Sequence, residues 1–262
     1  MTAAAAKNEF RVLPQYQPWM RQIGLDADAV FDHPDIVAWR KLPDRENCTL
    51  DATVDGGPVR LHIKRWTGTG GASQAAADEV RGIELLKGAG IPTVPLVGWG
   101  GLVDGRSFVI TEDLGGYRDA EKLVQAGVPF ERLLEPTAAL AASLHRAGLH
   151  HRDLYLCHFF ARETDPTDLR LIDVARVRRL AGLFKRRWIV KDLAQFWYST
   201  RALPVSDEQR TRWLARYAAA RDLDPAGLRR SIERKAAAIA RHDAKLKIAQ
   251  PTRNVSIPHT GR

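Results

Sequence analysis

His151-Arg152-Asp153-Leu154-Tyr155-Leu156-Cys157-His158-Phe159 is the stretch on which the reading of this chain turns. It opens a polar loop directly after Phe130 to Ala147, a segment that is apolar at helical spacing and is stopped by Gly148. It runs on into a hairpin, Cys157 to Arg162 and Leu169 to Ile172, whose second strand ends on Asp173. An Asp alone in a polar loop is commonly a turn cap. An Asp followed about twenty residues later by a second Asp at a hairpin end is a stronger chemical signal.

Upstream, Val37 to Leu42, Cys48 to Val54 and Val59 to Trp66 read as an antiparallel meander, with Asp55-Gly56-Gly57 turning between the last two strands. Val59, Leu61 and Ile63 alternate with Arg60, His62 and Lys64, so Lys64 leaves the sheet on the face opposite the aliphatic residues. Gln74 to Lys87 has helical spacing with Val80, Ile83 and Leu86 on one stripe, and Glu79 borders it. A carboxylate at an apolar face needs a partner. Val94 to Gly98 and Ser107 to Thr111 read as further strands, and Glu112 to Gly116 as a hinge. Downstream, Lys191 to Thr200, Glu208 to Arg221 and Pro225 to Lys247 read as helices. This organises the chain as an arm (1–35), a sheet-and-helix lobe (36–114), a helical lobe (115–248) and a flexible tail (249–262). Gly68 to Gly71 reads as a flexible connector.

The 262 residues carry 40 Lys and Arg against 31 Asp and Glu, a formal charge of +9, with 45% hydrophobic and 27% charged residues. These proportions exclude disorder, fibre and coiled coil as the main state. Charged residues interrupt every apolar run before the roughly 18 residues that a membrane span needs. Residues 1–10 lack the basic start and long apolar core of a secretory signal, so a cytoplasmic location is expected. Two cysteines, Cys48 and Cys157, form neither a disulfide framework nor a CxxC pair. The positive balance calls for an anionic partner. Nucleic acid ranks last among these, because no base-reading motif is present.

In chain order the chemistry-bearing residues are an ammonium (Lys64), a carboxylate (Glu79), a loop carboxylate (Asp153) and a hairpin-end carboxylate (Asp173). Phosphoryl transfer from ATP uses such a set. On these residues the chain resembles the protein-kinase-like fold. More closely it resembles the lipopolysaccharide core kinase family, the heptose and Kdo kinase group, through His151 to Phe159, Leu171-Ile172-Asp173 with the Arg-rich run after it, and Lys191-Asp192-Leu193-Ala194. The likeness extends from about Val37 to Thr200. It implies a bilobal α+β fold, a small antiparallel sheet with one helix and then a mainly helical lobe, with ATP near Glu112 to Leu114. It further implies Asp153 as the base for a sugar hydroxyl, Lys64 on the phosphates with Glu79 fixing it, and Mg2+ on Asp173. His158 is either a second metal ligand or a hydrogen-bonding partner of Asp173 or of phosphate, and Asp192 supports the loop. The implied acceptor is an anionic glycolipid or phosphorylated sugar.

Three features depart from the protein-kinase pattern. Val174-Ala175 stands where Phe-Gly is usual, and Pro43 to Asn47 has no glycine for a phosphate-covering loop, leaving Arg45 or Asn47 to reach phosphate by side chain. No Ser, Thr or Tyr lies between Val174 and Trp197, which excludes a phosphorylation switch in that segment. Its cations, Arg176, Arg178, Arg179, Lys185, Arg186 and Arg187, interleave with Leu180, Leu183, Phe184 and Trp188, as in a helix that lies on an anionic inner-membrane surface. The competing readings are a compact protein Ser/Thr or Tyr kinase and a nucleotide-binding pseudokinase that serves as an adaptor. The oligomeric state is left open by the sequence.

Overall fold

In the computed structural model, residues 8–68 and 72–249 are described. The connector at Gly68 to Gly71 and the tail from 249 lie outside them, except for Gly68 and Ala249. The chain divides into two compact units. The first runs to Arg81 and takes in Val94–Leu114; the second takes in Gly82–Thr93 and continues from Gly115.

The first unit is built on a six-stranded antiparallel sheet in the order β1-β5-β6-β4-β3-β2. Its strands are β1 (Glu9–Val12), β2 (Ile36–Leu42), β3 (Arg45–Val54), β4 (Gly57–Trp66), β5 (Leu96–Gly101) and β6 (Ser107–Glu112). The meander expected from alternation is present. Leu61 and Ile63 are fully buried, and Asn47, Lys64 and Val109 lie opposite one another across β3, β4 and β6. The turn joining β2 to β3 is only Pro43-Asp44, with Leu42 already paired to Arg45. This hairpin is too tight to cover a phosphate with its backbone.

The arm contains more regular structure than its prolines indicate. β1 adds to the sheet edge, and α1 (Gln17–Ile23) and α2 (Ala29–Asp32) follow. Tyr16, Met20, Leu25 and Val30 share one core with Leu50, Leu61, Ile63, Val97 and Phe108. Four-residue β1 has too little alternation to be read from sequence. Its partner strand carries the clue instead: a Cβ on Gly100 would sit 2.0 Å from the Glu9 carbonyl oxygen, so only glycine lets β1 approach.

α3 (Ala72–Gly88) links the units in sequence. In the second unit, β7 (Tyr117–Asp119) leads to α4 (Ala120–Gln125), which Asp119 caps by accepting from the Lys122 amide. The sequence pattern misses both elements, which are short. α5 (Glu131–Arg146) and the two-residue β8 (Leu149–His150) precede the polar loop. β9 (Phe159–Arg162) and β10 (Leu169–Leu171) form the expected hairpin, extended by β7 in the order β10-β9-β7. β11 (Arg178–Arg179) pairs with β8. α6 (Lys185–Ser199) begins inside the basic run, six residues earlier than its apolar pattern. α7 (Asp207–Ala219), opened by a Ser206–Gln209 capping box, and α8 (Pro225–Ala249) complete the unit. Phe196 stacks on Trp213 at 3.9 Å between ring centres, and Trp213 on Tyr217 at 6.0 Å, which ties α6 to α7.

Candidate active site

Each unit holds part of the residue set. In the first, the register of β4 turns Lys64 away from the aliphatic core, and its Nζ donates to Glu79 Oε1 on α3 at 2.8 Å. Glu79 is 3% exposed, and this ion pair answers the partner its burial required. Its second oxygen, Oε2, is buried with no hydrogen-bond partner among the described residues, as is Asn47 Oδ1 across the register from Lys64. At the end of β6 the Glu112 amide donates to Pro95 O and the Asp113 amide to Arg60 O, both at 3.0 Å. The Tyr16 hydroxyl bonds the Glu112 carboxylate, and burial followed by that bond pushes the phenol pKa upward.

In the second unit the loop is held by one face of α6. Asp192, fully buried, accepts from the His151 amide at 2.7 Å and the Arg152 amide at 2.8 Å. Gln195 accepts from the Leu154 amide at 3.2 Å, and Ser199 from the Leu156 amide at 2.9 Å. Residues 192, 195 and 199 follow helical spacing, so a single polar stripe satisfies the loop's buried donors in sequence. Behind Asp192, His145 Nε2 lies 3.2 Å from its Oδ2, and His145 Nδ1 meets the Tyr217 hydroxyl at 2.7 Å. Burial raises the Asp192 pKa. The His145 hydrogen bond, the histidine charges and the His151 amide outweigh it and leave the carboxyl below its ordinary value.

This anchoring presents two carboxylates. Arg152 and Asp173 both take left-handed backbone conformations, with φ of 72° and 56°. Asp153 is clamped by Arg176, whose Nη1 donates to both carboxylate oxygens at 2.8 and 2.9 Å, and Gln195 Nε2 adds a bond at 3.3 Å. His158 Nδ1 meets the Asp153 carbonyl at 2.6 Å, which aims Nε2 at Asp173 Oδ2, 3.6 Å away. The His151 ring, wholly buried, reaches Ile172 O at 3.1 Å. The His158 ring thus links the Asp153 backbone to the Asp173 carboxylate. The Arg176 clamp and the Gln195 and Ser199 bonds were missed. Their only trace in sequence is polar side chains at helical spacing beside the apolar Leu193 and Phe196.

Val174, beside Asp173, is fully buried, and its carbonyl faces Gly82 of α3, where a Cβ would lie 2.0 Å from the oxygen. Glycine within a helix costs about 1 kcal/mol against alanine, so its presence here is explained by this close approach. Gly82→Ala is expected to destabilise the chain by about 1–3 kcal/mol despite the gain in helix propensity, and to lower activity by shifting Asp173. Gly88→Ala, with open space around its Cβ, is the control and leaves both unchanged or improved. Urea unfolding of the two variants checks this.

Burial lowers the pKa of both His150 and His151 to about 4, with the His158 charge adding at His151 and the Asp192 charge opposing at His150. Between about pH 4 and the ordinary histidine value of about 6.5, the unfolded chain therefore binds more protons than the folded one. The stabilisation is complete above about pH 6.5 and is lost as pH falls towards 4. The urea midpoint is expected to drop from pH 7.5 to pH 5, and a flat profile would contradict the buried, neutral imidazoles.

The family described as Lipopolysaccharide kinase (Kdo/WaaP) matches residues 62–217. Lipopolysaccharide core heptose(I) kinase WaaP of Pseudomonas aeruginosa is 32% identical over 228 residues, covering 76% of this chain and 84% of that protein. The heptose(I) kinase WaaP of Escherichia coli K12 is 29% identical over 155 residues, 53% of this chain and 58% of its own length. Among solved structures, an aminoglycoside-3'-phosphotransferase of type VIII superposes with a TM-score of 0.55 at 19% identity, over 79% of this chain and 97% of that one, which shows a shared kinase-like α+β fold. Membership covers both the strand that carries Lys64 and the anchored Asp153 loop: the chain is a phosphotransferase of the lipopolysaccharide kinase (Kdo/WaaP) family.

Proposed function

We propose that the chain transfers the terminal phosphoryl group of ATP to a sugar hydroxyl of a lipid-linked glycan of the lipopolysaccharide core type. The observation that carries this reading is Asp153, a partly exposed carboxylate on a loop whose backbone is fixed by the buried Asp192. Asp153 takes the hydroxyl proton as the new O–P bond forms and the bond to the ADP oxygen breaks. Lys64, oriented by Glu79, neutralises phosphate charge. Asn47, opposite Lys64, offers its side-chain amide there in place of a glycine loop. The backbone at Glu112 to Leu114 receives the adenine.

Magnesium takes oxygen ligands through one or two carboxylates plus phosphates, and the Asp173 carboxylate, 40% exposed, fits that chemistry. When bound, the ion offsets charge on the transferring phosphates. His158 is better suited to steadying Asp173 through Nε2 than to ligating magnesium, because imidazole is a poorer magnesium donor than oxygen. No helix among the described residues is long and apolar enough to cross a membrane. Leu183 is 98% exposed and Phe184 64% exposed beside Lys185, Arg186 and Arg187, a combination suited to peripheral contact with an anionic inner-membrane surface.

The test is incubation with γ-labelled ATP and magnesium against intact core glycolipid, its deglycosylated lipid and a generic protein acceptor. Label is expected only in the glycolipid. Transfer to protein alone, or nucleotide binding without any transfer, would replace this reading with one of the competing ones.

A further inference from the structure

The second unit holds a cavity of about 500 Å³ whose wall contains Arg152, Arg176, Arg186, Arg187, Lys191 and Lys235, and no carboxylate. These cations come from four places in the chain: the loop, the segment after Asp173, α6 and α8. Like charges gathered around one open pocket repel, more strongly at its partly buried members. Arg152 shows the effect. Its guanidinium lies 4.7 Å from the Trp188 ring centre, its Nε is buried without a hydrogen-bond partner among the described residues, and burial followed by repulsion from Arg176 and Arg178 lowers its pKa. Burial and the Arg176 charge lower that of Lys191 as well. Among the described residues, Arg186 reaches Gly227 O and Ser231 Oγ, each at 3.4 Å. Such an array is complementary to a compact anion with several acceptor oxygens.

We propose that this cavity recognises a phosphate ester already present on the acceptor glycan, with Lys235 of α8 and Arg187 of α6 as its outer ligands. For the source of the phosphate this rests on the functional reading above; the cavity's affinity for phosphate does not. Two consequences follow. The kinase acts after another phosphotransferase has modified the same acceptor. Arg176, shared between the cavity and Asp153, is drawn towards the incoming dianion, and this releases the Asp153 carboxylate to accept the hydroxyl proton.

Calorimetric titration of the full chain with glucose 6-phosphate, inorganic phosphate and glucose tests the site. The wild type is expected to bind the first two and not the third. Lys235→Glu combined with Arg187→Glu, both exposed positions, weakens binding at least tenfold with an unchanged melting curve, and Lys235→Gln weakens it by about threefold. On phosphatase-treated core glycolipid, wild-type kcat/KM falls at least tenfold, whereas the double variant no longer distinguishes treated from untreated acceptor. Phosphatidylglycerol vesicles separate the sources: their retention is expected to be indifferent to Lys235→Gln. Equal affinity for glucose 6-phosphate in wild type and double variant overturns the proposal, as does vesicle retention that depends on Lys235 when glucose 6-phosphate binding does not. A wild type that binds glucose 6-phosphate through Lys235 yet labels no glycolipid sinks the functional reading and leaves the cavity standing.

Discussion

Asp153→Asn is expected to lower kcat by about 10²- to 10⁴-fold, the usual worth of a positioned general base, while leaving the KM for ATP and the melting temperature nearly unchanged. The substitution keeps the volume of the side chain and an oxygen for the Gln195 amide. It removes the lone-pair basicity that the proposed base role requires. Half of the Arg176 clamp goes with it, but Arg176 is 51% exposed, and ion pairs so open to water are worth about 0–1 kcal/mol. The effect should therefore appear in turnover and not in folding. Single-turnover transfer from labelled ATP measures it, beside a thermal melt. Retention of turnover within about threefold of the parent would remove Asp153 from the base role.

Asp192→Ala is expected to act on stability, costing about 3–5 kcal/mol, since removing one member of a buried charged network leaves the others uncompensated. Three donors lose their acceptor at once: the His151 and Arg152 amides and His145 Nε2. Asp192 and the His145 ring are fully buried, and the bond from the Arg152 amide is partly so. Against a typical total of about 5–15 kcal/mol, this is a large fraction of what holds the chain folded. Asp192→Asn keeps one acceptor but turns an NH2 group on a donor, and should cost about 1–3 kcal/mol. Equilibrium urea unfolding gives both values. A lowered midpoint for the alanine variant and an intermediate one for asparagine are the expected order, and an unshifted alanine variant would mean that the loop is held by other means. The asparagine variant should also lose kcat more than it changes the KM for ATP, because the misplaced loop carries Asp153, the carboxylate proposed as base.

Much of the architecture was legible. Alternation in Val59 to Lys64 gave the strand and the outward face of Lys64, the apolar stripe of Gln74 to Lys87 placed Glu79, and turn residues delimited the hairpin ending on Asp173. These are local signals, each contained within a dozen residues. β1, β7 and α4 were not legible, because elements of three to six residues show no full period of either kind. α6 was read six residues short, since charges on its first turns mask the helical period.

By itself the sequence determined the order of the longer elements, the spacing of the ammonium and the carboxylates, and the family to which that order belongs, because periodicity and motif are properties of neighbouring residues. The tertiary structure alone decided that Asp192, Gln195 and Ser199 serve loop amides about 40 residues away. It likewise decided that Gly82 makes room for the Val174 carbonyl, and that Arg176 holds Asp153 while lining a cavity shared with α8. Each of these pairs residues far apart in the chain. Which donor meets which acceptor there depends on how whole helices pack, and no local pattern encodes that.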